Sequence, residues 1–267
     1  MIPAANGIIT ITTDFGFQDS FVGIMKGVLL RLNQTATPIE ITQTIPPHDI
    51  ASASFLTGVT YGSFPPGTVH LIVVDPGVGG ERRPLAVSVE AHTFVAPDNG
   101  VLSDVLLAES DCAAVALSDP GYFSDSPSNT FHGRDIFAPA AAYLSRGVSL
   151  SELGPPAFDL VVLPITAPEA TGHTIRGCVR YVDGFGNVMT NVSESLFHQS
   201  QDDRAFRVYI KNYVIDRLQT AYSDVRVGEP LAVFNSFDLM EIAVNQGDAA
   251  EQLGAQVGDS IRIEFAP

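Results

Sequence analysis

Hydrophobic and polar positions follow two different patterns along this chain, one after the other. In roughly the first 165 residues, nearly continuous apolar runs (GIITITT, TVHLIVVD, PLAVSVEAHTFVAP and AAVAL) predict strands. Between them, GIMKGVLLRLN, ASASFLTGVTYGSF, VLSDVLLAE and DIFAPAAAYLSRG have helical spacing. Strands that are apolar throughout are buried on both faces, so this alternation predicts an α/β domain whose mostly parallel sheet is flanked by helices.

The pattern of hydrophobic positions changes after a Pro/Thr/Ala-rich stretch, LPITAPEATGH (163–173), which we interpret as a linker. Downstream, TIRGCVRYVDGFGNVMTNVS predicts two strands joined by a DGFGN turn. RVYIKNYVIDRL, EPLAVFNSFDLMEIAVNQG and DSIRIEFA continue the short, alternating pattern that is typical of antiparallel sheets. We therefore expect two domains: α/β over 1–165 and a smaller antiparallel, β-barrel-like domain over 172–267.

Composition and charge exclude several classes of protein. The 267 residues are 45% hydrophobic and 16% charged, enough apolar material for a large core. Fourteen Lys and Arg against 30 Asp and Glu give a net charge of −16, which disfavours nucleic acid and anionic membranes as partners. The longest apolar runs fall far short of a membrane span, and MIPAANGIITITT lacks the basic start of a secretory signal. We expect a cytoplasmic protein, with Cys112 and Cys178 as small core residues.

Polar clusters follow several of the predicted strands. Asp14 lies in the cluster 12–16, Asp75 opens the cluster 75–79, and a third cluster occupies 97–100. A fourth, 131–135, opens a helix and contains His132. Ligands of open α/β sheets bind at the carboxyl ends of strands. Turn formation explains 97–100 equally well, whereas a ligand role is favoured for Asp14 and Asp75, because each follows an apolar strand and precedes a glycine turn.

Common cofactor and nucleophile motifs are missing from the sequence. The glycines at 77–80 lack the GK[ST] ending of a phosphate-binding loop, and neither a dinucleotide fingerprint nor a GxSxG elbow is present. His48 and Asp49 resemble half of a metal site, but no second histidine has helical spacing, which favours a helix start or turn. The other histidines (His70, His92, His173 and His198) are interpreted as structural or solvent-facing. We expect no cofactor and no metal site.

Asp75, Arg82 and His132 form the most unusual candidate set. Together they could orient and polarise a water molecule, with His132 as a hydrogen-bond acceptor and Arg82 lowering the cost of hydroxide character. Arg82 could instead pair with a surface carboxylate, and His132 could cap the following helix. Spacing alone leaves these alternatives open.

Six segments together resemble one enzyme family. They are TTDFGFQDSFVGIMKG (12–27), VVDPGVGGERR (73–83), FVAPDNGVLS (94–103), TFHGRD (130–135), VDGFGNVMTN (182–191) and FNSFDLMEIAVNQGDAA (234–250). In this order they resemble the S-adenosyl-L-methionine hydroxide adenosyltransferases, adenosine-forming hydrolases related to the fluorinating and chlorinating enzymes. The resemblance implies hydrolysis of S-adenosyl-L-methionine to adenosine and L-methionine by attack of water at C5′. It also implies a homotrimer with the ligand at the subunit interface.

The resemblance also implies roles for individual residues. Asp14 would hold the ribose hydroxyls, and Asp19 would lie near the methionine end. Asp183, Asn187 and Ser236 would bind the methionine amino and carboxylate groups. The stretch from Glu241 to Gln246, which includes Asn245, would run along the adenine. Asp75, Arg82 and His132 would surround the attacking water.

Three departures from the halogenating relatives favour water over halide as the nucleophile. Those enzymes have a serine where this chain has Gly133, a tyrosine where it has His132, and a long insertion after the DPGVG region. Phe237 also replaces an arginine that follows the serine at 236, which weakens the inferred carboxylate contact there. Two other classes stay open: a metal-assisted hydrolase using Asp14, His48, Asp75 and His132, and a non-catalytic adenosine-binding or S-adenosylmethionine-binding protein.

Overall fold

The computed structural model describes residues 4–109 and 111–266, and the chain divides into two compact units, Met1–Pro164 and Ile165–Pro267. In the described part of the chain, no helix combines the length and the apolar character that a membrane crossing requires.

The first unit is built around a six-stranded sheet. Its elements are β1 (Ile8–Thr13), α1 (Phe21–Leu32), β2 (Thr37–Thr42), α2 (Ile50–Thr60), β3 (Val69–Val73), β4 (Pro84–Val89), β5 (His92–Pro97), α3 (Ser103–Ala108), β6 (Cys112–Ala116) and α4 (Ala138–Ser145), the last preceded by a π-helical turn at Gly133–Phe137. The strand order is β2-β1-β3-β5-β4-β6. In this order the first four strands, β2, β1, β3 and β5, run parallel to one another. Strand β4 runs antiparallel to both of its neighbours, β5 and β6.

Both faces of this sheet are buried, as the apolar strands predict. Leu71 and Val73 on β3 pack into the core that includes Met25 of α1, and the alternate residues Ile72 and Val74 pack into the opposite core. Side chains of a strand point alternately to the two faces, so a strand buried on both sides is apolar at nearly every position. The predicted α/β arrangement is confirmed.

One predicted strand is two strands in the structure. PLAVSVEAHTFVAP forms the β4–β5 hairpin, which turns at Glu90 with φ of +48°. Glutamate rarely adopts this left-handed conformation, so no typical turn residue marks the reversal.

The expectation that both cysteines lie in the core is wrong. Cys112 is exposed on the edge strand β6, and Cys178 is partly exposed. Among the histidines interpreted as structural or solvent-facing, His70 and His92 are buried, whereas His198 is exposed on a helix.

The second unit is an antiparallel, nearly closed sheet. Its elements are β7 (Glu169–Thr171), β8 (Thr174–Val182), β9 (Val188–Ser193), α5 (Glu194–Gln201), β10 (Phe206–Ile210), β11 (Tyr213–Ile215), β12 (Pro230–Phe234), β13 (Leu239–Val244), α6 (Ala249–Leu253) and β14 (Ser260–Phe265). The order is β11-β10-β14-β8-β9-β13-β12, and β7 pairs with β8. A bridge between Leu218, just beyond β11, and Ala232 of β12 brings the two ends together. The barrel-like prediction is confirmed, although β7 falls inside the stretch interpreted as a linker.

Candidate functional site

Asp14 and Asp75 leave neighbouring strands at the same edge of the first sheet. β1 and β3 are parallel, and Thr13, the last residue of β1, pairs with Val73, the last residue of β3. The sequence rule that places ligand groups at the carboxyl ends of strands therefore brings these two loops to one edge.

Asp75, Arg82 and His132 meet in one hydrogen-bonded cluster. The Nε atom of Arg82 donates to both carboxylate oxygens of Asp75, at 2.9 and 3.1 Å. A terminal nitrogen of Arg82 also contacts Asp75 and donates to Nδ1 of His132 at 2.7 Å. The Asp75 side chain is 5% exposed and that of Arg82 is 10% exposed, so this is not a surface ion pair. The His132 side chain makes no capping hydrogen bond to the helical turn that follows it.

The surroundings of the cluster hold Arg82 in place. Its guanidinium lies over the ring of Phe137, 5.3 Å from the centroid. The loop between Asp75 and Arg82 passes Gly79, whose φ is +75° and whose missing side chain makes room for the carbonyl oxygen of Asn129. A buried pair of this kind is stabilising only when its partners are well aligned, since desolvation of both charges opposes it.

The contact with Arg82 fixes the tautomer of His132. An arginine side chain has only donors, so Nδ1 of His132 must be the acceptor, and the neutral ring carries its proton on Nε2. Burial and the positive charge of Arg82 lower the pKa of His132, against opposing effects of Asp75 and Asp135. His132 therefore presents an N–H donor at Nε2, which changes the expectation that it accepts a hydrogen bond from water. In this cluster the carboxylate of Asp75 is the group that can accept one.

Asp14 is half-buried beside the start of α2. Its Oδ2 accepts a hydrogen bond from the backbone N–H of His48 at 2.9 Å. Asp49 caps α2, accepting from the backbone N–H of Ser52 at 3.0 Å, as the helix-start interpretation of the His-Asp pair predicts. Asp19 is exposed in the turn before α1.

Asp183 and Asn187 form a rigid turn between β8 and β9. Oδ1 of Asp183 accepts from the backbone N–H groups of Phe185 and Asn187, at 2.8 and 2.9 Å, and Oδ2 accepts from the Asn187 amide at 3.0 Å. Gly186 has φ of +82°, and a side chain there would collide with Asp248. Ser236 is exposed in the turn between β12 and β13.

The side chains of Glu241 and Asn245 make internal hydrogen bonds. Glu241, 2% exposed, accepts from the hydroxyl of Tyr222 at 2.8 Å and from the Asn235 amide at 3.1 Å. Asn245 donates to the carbonyl of Val225 at 2.8 Å. Burial and the hydrogen bond to Glu241 raise the pKa of Tyr222 to about 12, so this hydroxyl stays a donor.

Tyr222 and Asn235 were missed by the sequence analysis. They lie 19 and 6 residues before Glu241, and no local sequence motif indicates their hydrogen bonds to its carboxylate. Across residues 4–109 and 111–266, no group of three or more His, Cys, Asp or Glu side chains is arranged to hold a metal ion.

Comparisons with known proteins match nearly the whole chain to one family. The family model "SAM hydroxide adenosyltransferase N-terminal domain" matches residues 9–154, and the model of the corresponding C-terminal domain matches 177–262. Proteins named (R)-S-adenosyl-L-methionine hydrolase are 41% identical in Salinispora tropica (96% of this chain, 97% of the relative) and 32% identical in Thermus thermophilus (94% and 97%). A crystal structure of an uncharacterized conserved protein from Thermotoga maritima superposes with a TM-score of 0.91 at 37% identity, covering 96% of this chain and 99% of that one.

Proposed function

This chain belongs to the SAM hydroxide adenosyltransferase family, and we propose from that premise that it is an S-adenosyl-L-methionine hydrolase, an enzyme that forms adenosine and L-methionine. The relatives that carry the hydrolase name match over nearly their full length. The observation that carries the proposal is the buried Asp75–Arg82–His132 cluster, because it offers both a donor and an acceptor to one water molecule.

The reaction needs little beyond a positioned nucleophile. The water oxygen bonds to C5′ while the C5′–S bond breaks, and its electron pair leaves with the sulfur as a neutral thioether. No general acid is required, because the sulfonium substrate already carries the positive charge. Asp75 accepts the proton that the water loses. His132 donates a hydrogen bond from Nε2 to the water oxygen, and Arg82 stabilises the negative charge that develops on this oxygen.

The remaining residues are proposed to bind the substrate. Asp14 holds the ribose, and Asp19, Asp183, Asn187 and Ser236 surround the methionine part, whose ammonium and sulfonium charges suit carboxylates. Glu241 of β13 and Asn245 just beyond it are proposed to lie along the adenine, and their side chains are engaged in internal hydrogen bonds.

The proposal extends to assembly and location. We propose a homotrimer whose substrate site lies at the subunit interface, with functional domains over 1–165 and 172–267 and no cofactor. Both cysteines are free thiols, which fits a reducing compartment such as the cytoplasm.

Chromatography of S-adenosyl-L-methionine incubated with the purified protein tests the activity. We expect equal amounts of adenosine and L-methionine, and ¹⁸O in the 5′-hydroxyl when the reaction runs in labelled water. Running the two sulfonium epimers separately shows whether this chain shares the (R) preference in its relatives' names. Unlabelled adenosine would contradict attack at C5′.

The same assay addresses the two other classes of function. Turnover that survives exhaustive chelation excludes a metal-assisted hydrolase, and turnover by the parent that is lost in Arg82→Ala excludes a non-catalytic binding protein. Binding of adenosine without any product would overturn the proposed function.

A further inference from the structure

The turn at 97–100 contacts both ends of the loop that carries Asp75 and Arg82. This loop leaves the sheet after β3 and returns at Pro84, the first residue of β4. Pro84 pairs with Pro97, the last residue of β5, so the turn starts directly beside the returning end of the loop.

Asn99 holds the first end. Its side-chain amide donates to the backbone carbonyl of Val74 at 2.9 Å, and Val74 is the residue immediately before Asp75. The amide oxygen of Asn99 accepts from the N–H of Val101 at 3.2 Å, which fixes the orientation of the side chain. The backbone from which Asp75 projects is thus tied to the turn.

Asp98 holds the second end. Its backbone N–H donates to the carbonyl of Arg83 at 2.8 Å, and its Oδ2 accepts from Nε of Arg83 at 2.8 Å. Arg83 is the residue immediately after Arg82. The Asp98 side chain is 4% exposed, and its other oxygen accepts from the N–H of Val161 at 2.9 Å. A buried carboxylate with charge-assisted bonds on both oxygens is a stiff anchor, because moving it would expose an uncompensated charge to the protein interior.

We propose that Asp98 and Asn99 are positioning residues for the reaction, a clamp that sets the separation and orientation of Asp75 and Arg82 through their backbone neighbours Val74 and Arg83. The inference rests on the proposed function of that pair. A misplacement of about 1 Å in a catalytic group can cost on the order of 10²-fold in rate, so a clamp on both loop ends acts on turnover rather than on substrate binding.

The test compares Asn99→Ala and Asp98→Asn with the matched control Asn33→Ala. Asn33 also donates from a side-chain amide within the first unit, to Oγ of Ser145 at 2.9 Å, but at the end of α1. Four quantities are measured in each protein: kcat and KM for S-adenosyl-L-methionine, the affinity for adenosine by calorimetry, and the pKa of His132 by NMR. The His132 resonance is assigned by its loss in His132→Gln.

We expect Asn99→Ala to lower kcat by about 10- to 100-fold while KM and adenosine affinity stay near the parental values. Arg82, Asp75 and Asp135 are the charged groups that act on His132, and Arg82 contributes to the lowering of its pKa. Asp75 acts in the opposite direction, so a displacement of Asp75 in Asn99→Ala, or of Arg82 in Asp98→Asn, should move the pKa of His132 away from its parental value. Asn33→Ala should lower the melting temperature without moving kcat or this pKa.

Parental kcat and an unmoved His132 pKa in a folded Asn99→Ala would overturn the clamp, as would equal effects in Asn33→Ala. If Asp98→Asn does not fold, Asn99→Ala decides, because it removes a neutral hydrogen bond from a partly exposed side chain. If the parent does not hydrolyse S-adenosyl-L-methionine, the proposed function fails, whereas the His132 titration still shows whether the clamp positions Arg82.

Discussion

In the proposed mechanism, different residues of the first unit bind the substrate and carry out catalysis. Asp14 is proposed to bind the ribose equally in substrate, transition state and product, so Asp14→Ala should weaken binding of both substrate and adenosine. Arg82 and His132 are proposed to act on the water. Arg82→Ala and His132→Ala should therefore lower kcat by about 10²–10⁴-fold with adenosine affinity nearly intact, which steady-state kinetics and calorimetry measure together.

The effects of the cluster residues should not add, because they position one water together. The double variant of Arg82 and His132 should be little slower than the worse single variant. Near-parental kcat in both single variants would show that the cluster only stabilises the fold.

Gly133, where the resemblance implies a serine in the halogenating relatives, is closely surrounded by side chains. A Cβ there would lie 3.1 Å from Sδ of Met25, 3.3 Å from the Phe131 ring and 3.4 Å from Val73. Overpacking of a buried site typically costs about 1–3 kcal/mol, so Gly133→Ser should lower the free energy of unfolding by that amount. Gly23→Ser is the control, since a Cβ at this position on α1 meets nothing within 4 Å.

Neither the parent nor Gly133→Ser should form 5′-halo-5′-deoxyadenosine in high fluoride or chloride at a rate comparable to hydrolysis. Denaturant unfolding measures the free energy of unfolding of Gly133→Ser, and chromatography detects any halogenated nucleoside. A halogenated product that rivals adenosine would contradict the assignment of water as the nucleophile.

At the scale of elements, three adjacent parallel strands share a buried polar row. Thr10 on β1 contacts Nδ1 of His70 on β3 at 2.8 Å, and Nε2 of His70 contacts Nδ1 of His92 on β5 at 3.0 Å. Burial and the neighbouring His92 lower the pKa of His70 to about 3. An unfolded histidine titrates near 6.5, so between these values the unfolded chain binds more protons than the folded one.

Stability should therefore fall as the pH drops from about 6.5 toward 3, by up to about 1.4 kcal/mol per pH unit for one proton. Replacing His70 by Gln removes this titration, so the free energy of unfolding should depend less steeply on pH between about 6.5 and 4. His198→Gln is the control, because His198 is half-exposed on α5. Denaturant titrations at several pH values measure the slopes, and equal slopes in all three proteins would contradict the role of His70.

The sequence predicted elements best where one physical signal dominates. Nearly continuous apolar runs, such as VHLIVV, mark strands buried on both faces, and the DGFGN turn carries its own glycines and Asx residue. The β4–β5 hairpin was missed because Glu90 takes a left-handed conformation that no glycine or asparagine signals. Helix α5 was missed because its surroundings read as strands, and its only fully buried side chain is Phe197.

Some contacts of the candidate site could be predicted from the sequence and others could not. Asp75 and Arg82 belong to one short segment, so their proximity could be expected, whereas His132 reaches Arg82 only through the fold. The anchoring of Glu241 by Tyr222 and of Arg83 by Asp98 depends on contacts between separate loops and strands. Such contacts leave no periodic trace in a single sequence.

At the scale of the whole molecule, the proposed homotrimer, with its substrate site at the subunit interface, would make activity a property of the assembly. We expect Asp14, proposed for the ribose, and Asp183, proposed for the methionine, to reach one substrate from neighbouring copies. Assayed at a substrate concentration well below their KM, Asp14→Ala and Asp183→Ala should then each be nearly inactive alone. Co-expressed in equal amounts, they should recover about a quarter of the parental activity, because random assembly gives that fraction of interfaces two intact partners.

Mixtures of Asp14→Ala with Arg82→Ala, two variants of the first unit, are the control. If size-exclusion chromatography shows mixed assemblies but the Asp14→Ala/Asp183→Ala pair stays as inactive as this control, one copy supplies both residues and the interface site is wrong.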